Sequence, residues 1–304
     1  MHLSKTLKIL TEFENEVKKY AYSIGIKKVS IDYLKNVVIP LTLDLLDKRK
    51  HGTFKFYISG GQGSGKSTIA KFIKFYLERY FNLNVVSFSL DDIYFSKKSR
   101  LRLSKEVHPL LITRGVPGTH DVKKGIKIIR SLVSKNNHKT VLPIFSKLDD
   151  DIATKDNWVT FNGTPDFIIF DGWCVGAEAQ SEKNWKSPIN KLEQKHDKDG
   201  KWSRWVNKQL AGRYQELFNI FDLSIYIKSK SFDQIIKNRW EQELSNLSIA
   251  GKNVKTEHLK SFNDIYNFTM HFERITKEME SYMPIKSDIL LMRHSKTKFS
   301  IIKK

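Results

Sequence analysis

A glycine-rich stretch, GGQGSGKST, holds the residues best suited to chemistry. Gly60, four further residues and then Gly65-Lys66-Ser67 match the phosphate-loop pattern G-x-x-x-x-G-K-[ST] without a mismatch. Glycines let backbone N–H groups curl around a β-phosphate, which the N-terminus of a following helix also attracts. The lysine reaches the β- and γ-phosphate oxygens, and the serine hydroxyl is a ligand for Mg²⁺. The pattern predicts a nucleoside triphosphate bound with Mg²⁺, held by Gly60, Gly61, Gln62, Gly63, Ser64, Gly65, Lys66, Ser67 and Thr68.

A carboxylate follows a second apolar run. Asp171 comes directly after four apolar residues in DFIIFDG, which is the spacing of a Walker B acid. An acid at that strand end would help to hold Mg²⁺, directly or through a water. The alternative is that the Asp-Gly pair only ends the strand with a turn. We favour Asp171 as a metal ligand together with Ser67.

Two adjacent acids, Asp91 and Asp92, follow the next predicted strand in SFSLDDIY. Residues just past the carboxyl ends of strands line the ligand crevice of an open α/β sheet. A carboxylate there can accept the proton of an attacking hydroxyl. One of the two is expected merely to turn the chain, and we favour Asp91 as the base. We also expect Asp91 and Asp171 to end strands on either side of the phosphate-loop strand.

Apolar runs of strand type alternate with helical patterns along the chain. This alternation predicts βαβ units and a mostly parallel sheet covered by helices on both faces. The predicted strands are 54–59, 84–90, 140–145, 166–171, 222–229, 287–293 and 298–302. The predicted helices are 3–23, 30–48, 66–81, 121–134, 202–220, 231–247 and 255–282, with Pro40 disturbing the second.

The length of the chain suits one large α/β domain or two small ones. We assign residues 1–50 to an N-terminal helical extension and 51–304 to the phosphate-loop domain. A polar stretch near 175–201 interrupts that domain as a long insertion. Loops of that length are usually functional or disordered.

The formal net charge of +20 admits two interpretations. It could indicate a nucleic-acid or membrane partner, or steering of anionic substrates. The basic residues are mostly lysines scattered as singles and pairs, which favours a compositional bias over a specific nucleic-acid surface. No apolar run approaches the length of a membrane span, and the N-terminus lacks the features of a signal or transit peptide. The single cysteine, Cys174, excludes an internal disulfide and fits a reducing compartment. We expect a cytoplasmic protein with no membrane partner.

Several motifs occur in an order that resembles a known family. They are GGQGSGKST, SLDDIY, RGVPGTHD, LPIFSK and IIFDGWCVG. This series is similar to the glycerate kinase-like branch of the phosphoribulokinase, uridine kinase and pantothenate kinase superfamily, over residues 54 to 293. The resemblance implies a three-layer P-loop NTPase fold and an ATP- and Mg²⁺-dependent kinase. It also implies that Asp91 is the catalytic aspartate and that Asp171 stands where uridine kinases have a glutamate.

The resemblance further implies that Arg239, in NRWEQE, is a lid arginine that meets the transferring phosphate. The residues themselves leave an alternative open. Arg239 lies on a helix that Ser231 and Gln234 would open as a capping box. Glu243 follows four residues later, at the spacing of a solvated helical ion pair.

The same resemblance points to residues that would hold the acceptor. A glycerate carboxylate needs cationic or N–H partners, which Arg114, His120 and Lys147 could supply. Asp121 is a further substrate candidate, although its simplest role is to cap the helix that follows.

Three classes of function remain to be compared. A small-molecule kinase accounts for all the motifs, and the resemblance implies D-glycerate as its acceptor and 3-phosphoglycerate as its product. A pantothenate- or nucleoside-like acceptor remains open, as does the oligomeric state. A GTPase switch would need an Asn-Lys-x-Asp motif, which the sequence lacks. A nucleic-acid-directed P-loop ATPase would explain the charge, but the sequence carries no recognisable nucleic-acid-binding module.

Overall fold

The computed structural model describes residues 2–134, 136, 138–250 and 261–303. Its helices are α1 (His2–Ser23), α2 (Ile31–Tyr33), α3 (Ile39–Lys48), α4 (Lys66–Arg79), α5 (Lys97–Glu106), α6 (Val122–Val133), α7 (Lys191–His196), α8 (Lys201–Gln209), α9 (Gln215–Phe218), α10 (Phe232–Ala250), α11 (Phe262–Thr269) and α12 (Glu273–Lys286). Its strands are β1 (Phe54–Gly60), β2 (Val85–Ser89), β3 (Lys139–Leu142), β4 (Phe145–Ser146), β5 (Asp151–Ile152), β6 (Val159–Asn162), β7 (Phe167–Gly172), β8 (Leu223–Lys228), β9 (Ile289–Arg293) and β10 (Phe299–Lys303). Within these ranges we find no helix with the length and apolarity of a membrane span.

Six strands form the main sheet, in the order β10-β9-β8-β1-β7-β2. β1 pairs in parallel with β7 on one side and β8 on the other. The pairs β2–β7 and β8–β9 are also parallel, and only β10 runs antiparallel to its neighbour. Parallel strands need crossover connections, and α4 provides the one from β1 to β2, which lie on either side of β7. The predicted α/β class with a mostly parallel sheet is confirmed.

One predicted strand of that sheet is wrong. Residues 140–145 divide into β3 and β4, which lie outside the main sheet and pair with β6 and β5 in two small antiparallel sheets. Pro143 stands between the two short strands. Proline has no N–H to donate to a ladder, so it interrupts a run that otherwise has strand composition.

Both faces of the main sheet are buried, as β7 illustrates. Phe167 and Ile169 belong to a hydrophobic cluster with α4 and the N-terminal helices. Ile168 and Phe170 belong to a second cluster, with α6, α8 and α12. Because alternate residues of a strand point to opposite faces, this division gives a three-layer α/β/α molecule.

The N-terminal helices pack on α4 and share its hydrophobic cluster. The ring of Tyr20 stacks on Phe75 of α4 with ring centroids 4.7 Å apart. Pro40 disturbs the second predicted helix as expected, because a π-helical turn at Leu34–Val38 separates α2 from α3. Proline cannot donate to the helical ladder, and the lost bond favours such a local rearrangement.

Two other predicted helices are divided. The helix expected at 202–220 is interrupted by a π-helical segment, Leu210–Tyr214, in which Gly212 departs from helical geometry. Part of the helix expected at 255–282 falls on residues 251–260, outside the described residues. From residue 261 onward the structure has α11, a short 3₁₀ turn and α12.

The stretch 175–201 is more ordered than a polar insertion would be. It contains α7, and the buried Glu193 receives hydrogen bonds of 2.9 and 2.6 Å from Arg274 on α12. The buried Asp197 accepts the backbone N–H groups of Trp202 and Ser203 at the start of α8, at 2.7 and 3.0 Å. Buried acids with several donors fix this segment to the rest of the domain.

Candidate active site

The phosphate loop joins the end of β1 to the start of α4. Gly60, Gly63 and Gly65 all have positive φ, at 144°, 68° and 100°, a backbone region that glycine enters without steric cost. A Cβ on Gly60 would lie 2.5 Å from the carbonyl oxygen of Ile227, and one on Gly63 would lie 2.7 Å from the backbone of Asn238. Neighbouring backbone therefore requires glycine at these two positions.

Lys66 is folded against its own loop. Its Nζ donates to the carbonyl oxygens of Gly60 and Gly61 at 2.8 and 2.9 Å. Burial lowers the pKa of Lys66 to about 8, although the charge of Asp171 acts in the opposite direction. The ammonium is thus within the loop that would surround a phosphate.

Other loop residues leave polar atoms without partners. Ser64 is fully buried, and neither its Oγ nor the Oε1 of Gln62 has a hydrogen-bond partner among the described residues. Thr68 lies partly buried in the first turn of α4. Buried polar atoms without partners cost stability, which a ligand bonded to them would offset.

Ser67 and Asp171 meet at the place expected for a metal. The Ser67 hydroxyl donates to Oδ2 of Asp171 at 2.7 Å. Burial raises the pKa of Asp171, while the bond from Ser67 and the charge of Lys66 lower it. One hydroxyl and one carboxylate suit Mg²⁺, which is typically bound by one or two carboxylates, waters and substrate phosphates. The described residues contain no cluster of three acidic, histidine or cysteine side chains that would form an all-protein metal cage.

The two strand-end acids are not arranged as predicted. We expected Asp91 and Asp171 on either side of β1, and this is wrong, because the order is β1-β7-β2. Ser89, at the end of β2, is the register partner of Asp171. Asp171 lies near the end of β7 and Asp91 follows β2, so both acids lie on the same side of β1. The crossover through α4 places β2 two positions from β1, which leaves room for β7 between them.

The adjacent aspartates differ in their partners. Asp92 forms a capping box with Ser89 at the start of a 3₁₀ turn, and its Oδ2 accepts the Ser89 N–H at 2.8 Å. Burial raises its pKa to about 6. Asp92 is therefore the acid that turns the chain.

Asp91 has side-chain donors on both oxygens. The Tyr94 hydroxyl donates to Oδ1 at 2.8 Å, and Lys147 Nζ donates to Oδ2 at 2.7 Å. Burial by itself would raise the pKa of Asp91, but the charge and hydrogen bond of Lys147 and the bond from Tyr94 hold it well below its usual range. Asp91 acts electrostatically on Lys66 and Asp171, so the base candidate and the phosphate loop form one charged cluster.

His120 lies behind Asp91 and is buried. Its ring stacks on Tyr94 with centroids 4.6 Å apart, and its Nδ1 is 2.6 Å from the Tyr214 hydroxyl. Its Nε2 has no partner among the described residues. Burial lowers the pKa of His120 to about 3, so the ring is neutral at ordinary pH.

Arg114 is held close to this cluster. It forms an ion pair with Asp150, and its guanidinium lies 5.5 Å from the ring centroid of Phe145. The fully buried Arg100 donates to the same aspartate's backbone oxygen at 2.5 Å and to the Ile112 carbonyl at 2.7 Å. These bonds fix Asp150, and through it Arg114.

The helix cap open to Asp121 is present, and the ion pair open to Arg239 forms, although it is largely buried instead of solvated. Asp121 caps α6, accepting the Lys124 N–H at 3.0 Å. Arg239, 9% exposed, forms the ion pair with Glu243. Their substrate and lid roles remain predictions.

The capping box predicted for the helix of Arg239 forms only in part. Ser231 accepts the Gln234 N–H at 3.2 Å, but the Gln234 amide donates to Asn238 instead of returning to the cap.

Sequence reasoning missed a groove beside the phosphate loop. This groove of about 290 Å³ is lined by Ser229, Lys230, Gln234, Asn238, Glu241, Arg293, His294, Ser295 and Lys296. Arg293 donates to the carbonyl oxygen of Gly63 at 3.0 Å, which connects the groove to the loop. A possible signal was the polar run RHSK directly after an apolar strand. Tyr94 and Tyr214 were also missed, because a tyrosine's hydrogen-bond partners are not visible in its sequence neighbours.

Comparisons with known proteins agree with this geometry. The chain is 28% identical over 247 residues to the uncharacterized kinase mug58 of Schizosaccharomyces pombe, covering 76% of this chain and 85% of that protein. It is 26% identical over 251 residues to the probable ATP-dependent kinase TDA10 of Saccharomyces cerevisiae, covering 75% and 83%. Its fold matches a D-glycerate 3-kinase from Cryptococcus neoformans with a TM-score of 0.68, at 19% identity over 88% of this chain and 96% of that one. No protein-family model matches the sequence. The resemblance found in the sequence is thus supported, because the chain is similar in sequence to two kinases and shares the fold of a solved one.

Proposed function

We propose that the protein transfers the γ-phosphoryl group of ATP to a hydroxyl of a small metabolite, with D-glycerate as the acceptor and 3-phosphoglycerate as the product. The observation that carries this proposal is the placement of Asp91 beside the phosphate loop. A carboxylate bonded by Tyr94 and Lys147 lies at the edge where an attacking hydroxyl would face the nucleotide. Phosphoryl transfer needs mainly positioning and electrostatic stabilisation, which this set of residues can supply.

In the proposed reaction the acceptor hydroxyl gives its proton to Asp91 as its oxygen bonds to the γ-phosphorus. The bond from that phosphorus to the β–γ bridging oxygen breaks, and ADP leaves with the electron pair. Lys66 and the amides of the loop hold the phosphates. Ser67 and Asp171 would hold Mg²⁺, which neutralises phosphate charge when bound.

Three observations support an acidic acceptor. Arg114 and Lys147 supply cations near Asp91, and His120 presents an unpartnered nitrogen in the same cluster. The solved structure with a similar fold is that of a D-glycerate 3-kinase. We further propose that the enzyme acts in the cytosol.

An ADP-release assay tests the proposal. Purified protein, ATP and Mg²⁺ are combined with D-glycerate, other hydroxy acids, pantothenate or a nucleoside in turn. We expect release with D-glycerate above the acceptor-free rate, and loss of that release in Lys66→Ala because the phosphate contact is removed. Wild-type turnover in Lys66→Ala would overturn the kinase mechanism. Preference for pantothenate or a nucleoside would overturn the acceptor alone.

A further inference from the structure

The ion pair between Lys147 and Asp91 occupies one oxygen of the proposed base. Nζ of Lys147 is 2.7 Å from Oδ2 of Asp91. Tyr94 donates to the other oxygen. A hydroxyl that is to lose its proton to Asp91 must approach one of these two oxygens, so one of the two donors has to give way.

The two donors differ in their freedom to move. Tyr94 is buried, stacked on His120 and packed edge-on against Phe145. The Lys147 side chain is 57% exposed, and within the described residues its ammonium forms a hydrogen bond only with Asp91. Lysine has a long and flexible stem. Lys147 is therefore the donor that can leave.

The charges around Lys147 favour an anion at this position. Arg114 and Arg239 both repel the Lys147 ammonium, while Asp91 attracts it. The two arginines have their own acidic partners, Asp150 and Glu243. If Lys147 leaves Asp91, its charge lacks a partner unless a ligand provides one. A carboxylate on the incoming molecule would do so.

We propose that Lys147 is a specificity-determining residue that keeps Asp91 paired until the acidic group of an acceptor draws the ammonium away. This inference rests on the proposed function. Without an anionic acceptor the base stays occupied, so a water molecule or a neutral alcohol is poorly activated and ATP is not hydrolysed wastefully. With one, the released oxygen of Asp91 takes the hydroxyl proton while Lys147 holds the acceptor's carboxylate.

The test compares wild type with Lys147→Met and Lys147→Arg. Lys98→Met, which removes an exposed lysine of α5, serves as the matched control. Phosphate release from ATP without acceptor is measured beside phosphoryl transfer to D-glycerate and to glycerol, the neutral triol of similar size. In Lys147→Met we expect the ratio of hydrolysis to transfer to rise and the preference for D-glycerate over glycerol to fall. Each should change by about tenfold, which corresponds to the loss of one hydrogen bond to a charged group. Lys147→Arg should recover most of both ratios, and Lys98→Met should change neither.

Equal losses of hydrolysis and transfer in Lys147→Met, with an unchanged preference for D-glycerate, would overturn the inference. The acceptor-free measurement keeps this result separate from a failure of the proposed function. If wild type phosphorylates no acid at all, the proposed acceptor is wrong. In that case, faster hydrolysis of ATP without acceptor in Lys147→Met would still support the proposal that Lys147 keeps Asp91 occupied. An unchanged rate of this hydrolysis would exclude it.

Discussion

Asp91 and Asp171 lie at the carboxyl ends of adjacent strands, yet they have different partners. Asp171 accepts the hydroxyl of Ser67 and lies against the phosphate loop. Asp91 is bonded instead by Tyr94 and Lys147. Under the proposed function, these contacts would place Asp171 at the metal and Asp91 at the acceptor hydroxyl.

That division predicts opposite responses to metal. Asp91→Asn keeps the shape of the side chain but cannot take a proton, so kcat should fall by about 10² or more with ATP binding nearly unchanged. Asp171→Asn should weaken Mg²⁺ binding, and raised Mg²⁺ should restore part of its activity. Titration of Mg²⁺ against both variants measures the difference. Recovery of Asp91→Asn alone would mean that the two roles are reversed.

His120 predicts how stability depends on pH. Its pKa is about 3 in the folded protein, below the value of about 6.5 in an unfolded chain. Between these values the unfolded chain binds more protons, so acidification from pH 6.5 towards 3 should destabilise the fold. The contribution of His120 approaches about 1.4 kcal/mol per pH unit.

Denaturant unfolding between pH 7 and 4 checks this expectation. His120→Phe retains a ring against Tyr94 and should reduce the acid sensitivity of the unfolding free energy. His51→Gln, at an exposed histidine, should leave it unchanged. Identical pH slopes for wild type and His120→Phe would contradict the neutral, buried ring.

At the scale of elements, the phosphate loop depends on close contact with α10. Gly63→Ala would place a methyl group 2.7 Å from the backbone of Asn238, at a φ of 68°. We expect a loss of about 1–3 kcal/mol in unfolding free energy and much weaker ATP binding, because the loop must move. Gly163→Ala is the matched control, since its φ is also positive but no atom lies within 4 Å. Denaturant unfolding and ATP titration are measured for both variants. A loss seen only in Gly63→Ala would come from the steric overlap, whereas a loss seen in both would come from the positive φ.

Elements with strong local signals were predictable from the sequence. The strands of the main sheet and the helix after the phosphate loop each carry an apolar pattern bounded by turn residues, and they appear close to the predicted positions. The prediction of a main-sheet strand at 140–145 was wrong, because strand composition does not specify a partner strand. Pro143 also prevented one continuous strand. Helix interruptions such as Leu210–Tyr214 were not predicted, because tertiary packing and a single glycine determine them.

The candidate site was predictable where a motif carries its own chemistry. The phosphate loop follows from residue type and spacing, and the turn role expected of one of the two aspartates is filled by Asp92 through its capping box. The base role of Asp91 stays a prediction. The ion pair of Arg114 with Asp150 and the bond of Tyr94 to Asp91 join residues whose proximity depends on the folded chain. The order of β7 and β2 likewise depends on how the crossovers pack.

For the whole molecule, the net charge of +20 predicts weak and nonspecific binding to nucleic acid. If the charge is compositional bias, affinity for duplex DNA should collapse between about 50 and 200 mM salt as counterions compete. Fluorescence anisotropy with two unrelated duplexes measures both the salt slope and any sequence preference. A complex selective for one duplex that persists at the higher salt would favour a nucleic-acid-directed enzyme.

The bond between Glu193 and Arg274 limits how this protein can be re-engineered. In the sequence, the stretch 175–201 has the composition of an insertion that could be deleted. In the structure, however, its Glu193 is buried and forms an ion pair with Arg274 on α12. Arg274 also lies over the ring of Trp185 from the same stretch, 4.4 Å from its centroid. Deleting the stretch would leave the charge of Arg274 buried without a partner, which should lower the free energy of unfolding by about 3–5 kcal/mol. A chimera with a relative must therefore exchange this stretch and α12 together.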